Sequence, residues 1–280
     1  MPAGQKVYYL FQRYVTKSYP RPLSPTIESA EVQISHAQTI VATRSDVGTL
    51  TLLEFGAGWD LYANMVYYCY GLNHQIAIDV RRWARAETIN AVIAHLQKDP
   101  PPGCIRVPEA PVSDTTLDAD LERLYGIRYL APFDGRATGL TAGSVDVVTT
   151  TSVFEHVPEP ICDAIFAECR RVIAPDGMMR HTIDYSDHYA HADPSITSYN
   201  YVRFGRRTWT LLNPGIHYQN RLRTPDFIRL FEKNSFRIVA CDEWTGDAQE
   251  FDRVSVHQDF AHYGSDTLRV LGAHFLLQPI

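Results

Sequence analysis

Cysteine is scarce and unpaired in this sequence. Its five cysteines, Cys69, Cys104, Cys162, Cys169 and Cys241, form no C-x-x-C pair. An odd count at loose spacing argues against a disulfide framework and for reduced thiols in a reducing compartment. No apolar run is long enough to span a bilayer, and the N-terminal residues lack a signal-peptide apolar region. The expected location is therefore cytoplasmic, with no membrane span. There is no block of basic residues, and the formal net charge is −6, which disfavours duplex nucleic acid as a partner. Internal repeats and low-complexity tracts are absent too. What remains is a 280-residue chain, 45% hydrophobic and 21% charged, able to build a substantial core as one large domain or one domain with an elaboration. Oligomeric state is not legible.

Residues 1–49 read as an N-terminal extension or cap, with a short helix over Lys6–Lys17 broken by Pro20, Pro22 and Pro25. From 50 onward β-prone runs alternate with helical periodicity. Strands are predicted at 50–55, 75–78, 127–130, 144–150, 178–185, 237–241 and 268–277. Helices are predicted at 58–70, 80–97, 117–125 and 158–174, with a turn at Pro175-Asp176-Gly177 and a helix opened by Thr224-Pro225-Asp226. This alternation predicts an α/β, doubly wound, mostly parallel seven-stranded sheet, a Rossmann-like fold spanning 50–280. Residues 186–223 lack a clean period and are rich in aromatics. They are longer than a connection requires and are read as a lid inserted after the fifth strand.

The densest chemical signal is Glu54-Phe55-Gly56-Ala57-Gly58-Trp59-Asp60. Strand, Gly-x-Gly turn and helix let a backbone approach a nucleotide-like ligand closely. An acid before the first glycine repels a pyrophosphate but can pair with a cation. The third glycine of a dinucleotide fingerprint would fall on Leu61, so that fingerprint fails. Asp79, followed by Val80 at the next strand end, can accept both hydroxyls of a ribose. Asp134, after the third strand, is placed for an adenine amino group or a ribose. Singly, each feature has a plain structural reading: a tight turn for the glycines, a strand-end cap for Asp79.

In this order, Leu53-Glu54-Phe55-Gly56-Ala57-Gly58, Asp79 and Ser144–Val157 with its Thr149-Thr150-Thr151 and Glu155-His156 resemble the successive motifs of class I S-adenosylmethionine-dependent methyltransferases of the type 11 kind. Arg170–Gly177 resembles that family's helix and turn before the fifth strand, with Asp176 in place of the usual second glycine. The resemblance implies S-adenosylmethionine as cofactor and S-adenosylhomocysteine as product. It also implies that Glu54, Gly56, Ala57 and Gly58 lie beneath the methionine moiety, that Asp79 holds the ribose and Asp134 the adenine, that Val80 is a cofactor contact, and that Thr150 and Thr151 lie at the cofactor's edge.

The second dense region is His181–Asp193, followed by Asn220-Arg221-Leu222-Arg223. An Ile-Asp-x-x-Asp-His segment paired with a later Asn-Arg-Leu-Arg resembles methyltransferases of bacterial polysaccharide and glycan biosynthesis. A hydroxyl acceptor calls for in-line alignment and a base. His188 is the first choice, oriented by Asp187 or Asp184, with His156 as a second candidate. Arg221 and Arg223 can clamp an acidic group, and Tyr199, Tyr201, Trp209 and Tyr218 can wall a sugar or another ring. The bland readings are a surface ion pair for the arginines, lid packing for the aromatics and loop hydrogen bonding for the polar cluster. The expected acceptor is a small-molecule or glycan hydroxyl. N- or C-methylation of another small molecule or lipid, and cofactor binding without catalysis, are the alternatives. A metal is not expected, because His181 and Asp184 face opposite sides of a strand. Nucleic-acid methylation is disfavoured further by the absence of an Asn/Asp-Pro-Pro-aromatic motif after the fourth strand.

Overall fold

The computed structural model describes residues 27–191, 193–213 and 218–280; the helix expected over Lys6–Lys17 lies outside them. The chain divides into two compact units between Thr149 and Thr150.

In the first unit, helix α1 (Ile27–Thr43) precedes β1 (Thr51–Phe55), α2 (Tyr62–Cys69), β2 (His74–Ile78), α3 (Ala86–Lys98), α4 (Leu117–Tyr125), β3 (Ile127–Leu130) and the start of β4 (Val145–Thr151). Strand β1 pairs in parallel with β2 and β4, and β2 pairs in parallel with β3. Its apolar run Leu52, Leu53 and Phe55 is buried, as expected for a central strand with both faces covered. Seven of the eight α2 residues are buried, which fits a helix packed against α1 and α3. Among them Asn64 donates its amide to the buried Gln75 side chain of β2 at 3.1 Å.

The second unit takes the end of β4 and continues with α5 (Glu159–Val172), β5 (Ile173–Asp184), α6 (Arg206–Leu212), α7 (Thr224–Lys233), β6 (Phe236–Thr245), α8 (Ala248–Asp252), α9 (Ser265–Arg269) and β7 (Val270–Pro279). Strand β7 runs antiparallel between β5 and β6. Helix α7 packs on β6 and against α5. The hydrogen-bonded strand order is β3-β2-β1-β4-β5-β7-β6, the seven-stranded sheet that the sequence predicts. Among the described residues, no helix is long and apolar enough to cross a membrane.

Four local expectations need correction. The helix expected from Val80 starts at Ala86, because side chains take the intervening donors. Asp79 Oδ1 accepts from the Arg81 N–H at 3.0 Å, and the Tyr129 hydroxyl accepts from the Trp83 and Ala84 N–H groups at 3.2 and 3.3 Å. The helix expected from Gly58 starts at Tyr62, after Leu61, a left-handed residue at φ 52°. The turn expected at Pro175–Gly177 is extended backbone inside β5, where exposed Pro175 needs no donor. Arg223, rather than Thr224, caps α7, with the Asp226 carboxylate accepting the Arg223 N–H at 2.9 Å.

Candidate active site

Strand β1 ends in the Gly-x-Gly turn. Gly56 and Gly58 have φ of 75° and 71°, a left-handed conformation that glycine adopts without steric cost. The Gly56 and Ala57 N–H groups donate to the Ile78 carbonyl at 2.9 and 3.2 Å, which fixes the turn against the end of β2. The Gly58 N–H donates to Asp79 Oδ2 at 3.1 Å. Asp79 is thus held by one backbone donor on each oxygen and keeps acceptor capacity on both. Burial pushes its carboxyl above the ordinary value, and the Arg81 and Gly58 N–H groups oppose the rise. Val80 next to it is 72% exposed, an unusual state for an aliphatic side chain beside a buried carboxylate.

Glu54 is fully enclosed, and burial raises its pKa to about 8, opposed by the Thr149 hydroxyl that donates to it. Asp60 is buried and accepts the Tyr62 N–H at 3.3 Å, so it serves the start of α2. Asp134 is exposed and chelated by Arg136, whose guanidinium holds its carboxyl down to about 2.

In the second unit, the C-terminal end of β5 carries the polar cluster. Asp184 Oδ2 lies 3.5 Å from His188 Nε2 and 3.7 Å from His191 Nε2. Burial raises the Asp184 carboxyl, but His188, together with the Ser186 hydroxyl and N–H, outweighs burial and leaves it below the usual value. The His188 ring packs between those of His156 and His191, with centroids 4.8 and 5.0 Å away. His156 Nδ1 lies 2.9 Å from the Tyr218 carbonyl; that oxygen can only accept, so Nδ1 carries the proton and Nε2 the lone pair. Glu155, beneath this group, is 1% exposed. Burial, then the charge of Asp184, pushes its carboxyl well up.

Asp187 does not orient His188. It is buried and accepts from the Tyr189 N–H at 2.8 Å and the Asn200 amide at 3.1 Å, fastening the loop. Thr150 Oγ1 is 2.9 Å from His181 Nδ1; His181 is fully buried, and burial pushes its pKa to about 3, so it is a neutral core group. Thr151 ends β4 half-buried, its hydroxyl without a hydrogen-bond partner.

Residues 112–180 match the family model for a methyltransferase domain. The stretch runs from before β3 to within β5 and takes in the Thr149–His156 motif. That segment is similar to a methyltransferase domain. Solved structures share this chain's fold at low identity. The PH0226 protein of Pyrococcus horikoshii is 10% identical at TM-score 0.51, the match covering 98% of this chain and 99% of that one. Geranyl diphosphate C-methyltransferase of Streptomyces coelicolor, in complex with Mg2+, geranyl diphosphate and S-adenosyl-L-homocysteine, is 10% identical at TM-score 0.50, covering 92% and 86%. No curated protein sequence matches the chain.

The remaining candidates are held by contacts within the second unit. Arg223 is fully buried, donates to the Val270 and Tyr185 carbonyls at 3.1 and 3.4 Å, and lies 5.0 Å from the Tyr201 ring. Arg221 donates to the Tyr201 carbonyl at 3.3 Å and lies over the rings of Trp209 and Phe260. Tyr199, Tyr201 and Trp209 sit in an apolar cluster with Val202, Phe251, Phe260 and Leu268. Tyr218 is half-buried and engages His156 through its carbonyl.

Two residues escaped the sequence reading. Asn220 donates its amide to the Phe154 and Val157 carbonyls at 2.6 and 2.8 Å, and its N–H to the Glu155 carbonyl at 2.8 Å. Gln219 donates to the Ser186 carbonyl and accepts weakly from the His188 N–H at 3.5 Å. Asn220 was named only as the head of the Asn-Arg-Leu-Arg segment, with no role of its own, and Gln219 lies next to that segment.

Proposed function

We propose that this methyltransferase modifies a hydroxyl of a small molecule or glycan intermediate, with His188 as general base and Asp184 orienting it. The observation that supports this reading is the contact between His188 Nε2 and Asp184 Oδ2 at 3.5 Å, at the carboxyl end of β5, where open α/β sheets bind their ligands. S-Adenosylmethionine supplies an electrophilic methyl group on a sulfonium sulfur. The residues present fit it: a glycine turn that brings backbone close, Asp79 with open acceptor capacity for ribose hydroxyls, exposed Val80 for an adenine face, and buried Glu54 near the turn that would meet the methionine end. Thr150 and Thr151 at the end of β4 are assigned to the cofactor's edge, and Asp134 to the adenine side.

On the acceptor side, His188 removes the hydroxyl proton as the oxygen attacks, and the Asp184 carboxylate stabilises the imidazolium that forms. His156, its Nε2 presenting a lone pair, flanks the ring of His188. The buried aromatic cluster and Arg223 support the floor of the lid from within, which leaves Tyr218 and Arg221 as the lid side chains nearest to an acceptor role.

The test is methyl transfer from labelled S-adenosylmethionine to a panel of hydroxyl, amine and activated-carbon acceptors. Hydroxyl acceptors turned over by wild type and lost in His188→Ala carry the proposal. Turnover confined to amines or carbon acceptors, unchanged in His188→Ala, overturns it in favour of N- or C-methylation.

A further inference from the structure

Glu155 is the least explained side chain of the second unit. It is 1% exposed, and neither carboxylate oxygen has a hydrogen-bond partner. The Glu155 and Asp184 backbone N–H groups reach it only weakly, and burial outweighs them, which leaves a costly buried carboxylate. Its surroundings supply no arginine or lysine partner. They supply His156 and His188, which each bring a ring nitrogen into a group whose ligand atoms all lie within 4.8 Å of one another. His188 Nε2 is itself buried, 3.5 Å from Asp184 Oδ2 but short of hydrogen-bond geometry with it. Asp184 and His191 extend the set, forming a second such group around the same His188.

We infer that Glu155, His156 and His188 form a binding site for a divalent transition cation of the zinc class. Three features carry this. The first is donor chemistry: two imidazoles and one carboxylate suit Zn2+, Co2+ or Fe2+ better than the all-oxygen sets that Mg2+ and Ca2+ take. The second is the proton arrangement: the Tyr218 carbonyl holds the His156 proton on Nδ1, which leaves Nε2 as the donor atom, and such an outer hydrogen bond is what orients ligating histidines. The third is electrostatic: the orphaned Glu155 carboxylate sits close enough to Asp184 for its charge to be felt, and a dication answers both.

Ligand atoms about 2.1 Å from a shared ion lie roughly 3–3.5 Å apart, so closure needs modest side-chain rotation from the present spacing. Three protein ligands leave open positions for an acceptor. The chemical consequence rests on the hydroxyl reading above: an acceptor oxygen bound there would release its proton to solvent water more readily, and His188, its lone pair committed, would be a ligand rather than the base. The binding itself does not depend on that reading.

The experiment uses the full chain after chelator treatment, titrated with Co2+ and followed by its visible absorption, and with Zn2+ in competition against a chromophoric chelator. Wild type is expected to bind one equivalent, with a Co2+ spectrum of mixed nitrogen and oxygen ligation. Glu155→Gln and His156→Ala are expected to weaken binding tenfold or more, and His191→Ala to change it less than threefold. Each variant is first checked for S-adenosylhomocysteine binding, which reports an intact fold. If Glu155→Gln fails that check, Glu155→Asp takes its place, its shorter carboxylate being expected to weaken binding measurably.

Absence of stoichiometric binding by wild type overturns the inference. So does binding that survives loss of Glu155 but is lost in His191→Ala, which would place the ion on the outer Asp184 group. Turnover of a hydroxyl acceptor by chelator-treated enzyme, with no metal binding, rejects the cation and retains His188 as base. Metal binding without turnover of any hydroxyl acceptor does the reverse.

Discussion

Thr149 donates its hydroxyl to the buried carboxylate of Glu54, its register partner across β4 and β1. The acid that begins the glycine turn is thereby tied to the neighbouring strand. Replacing Thr149 with valine keeps the shape and removes the donor. It is expected to cost about 1–3 kcal/mol of stability, the penalty for orphaning a buried polar group, and to weaken S-adenosylhomocysteine binding. Thermal unfolding and calorimetry check both. An unchanged midpoint and affinity would show that the Glu54 carboxylate needs no partner from β4.

The same carboxylate makes stability depend on pH. Its folded pKa of about 8 lies above the ordinary 4.5, so between these values the folded chain binds more protons than the unfolded one. Its stabilising contribution is complete below the unfolded pKa and is lost as pH rises through about 8. Glu54→Gln removes that slope. Without cofactor, the unfolding midpoint of wild type should therefore fall relative to the variant from pH 5 to pH 8. Parallel profiles would mean that Glu54 is charged throughout.

Asp79 is oriented by backbone donors on both oxygens. Asp79→Ala removes charge-assisted hydrogen bonds worth about 1.5–3 kcal/mol, or roughly 10–150-fold in dissociation constant. Isothermal titration with S-adenosylhomocysteine measures this. Affinity within threefold of wild type would remove Asp79 from the ribose assignment.

Removal of a general base costs about 10²–10⁴-fold in rate. His188→Ala should fall in that range for a hydroxyl acceptor. Asp184→Asn, which keeps the side chain's shape, should lose less. Asp187→Asn, by contrast, should act on stability through the Tyr189 and Asn200 contacts. A larger turnover loss for Asp187→Asn than for Asp184→Asn would reverse the roles given to the two acids.

Most of the scaffold was legible because parallel strands announce themselves. Leu52-Leu53 and Val147-Val148 are apolar runs bounded by turn residues, and the sheet contains them where periodicity put them. The boundaries that failed are those where a distant side chain competes for backbone donors. Tyr129, a strand away in sequence, reaches the Trp83 and Ala84 N–H groups, and nothing local to Val80–Arg85 encodes that. Of the candidate site, the tight turn at Gly56 and Gly58 after Glu54, and the place of Asp79 at the next strand end, were readable from order and spacing. Arg223 was not, since its charge suggested a surface clamp, while the structure lays its guanidinium in the interior over Tyr201. Glu155 was read only as half of a dipeptide motif; its burial beside Asp184 emerges only in three dimensions.

Asn220 holds the 154–157 turn through three hydrogen bonds, joining segments more than sixty positions apart in sequence. For anyone reshaping acceptor preference by segment exchange, the unit of transplantation is therefore a pair. A graft of 186–223 alone imports an asparagine without its carbonyls, whereas a graft that carries 153–158 with it moves the stapled framework, and the histidine on each side of it, as one piece.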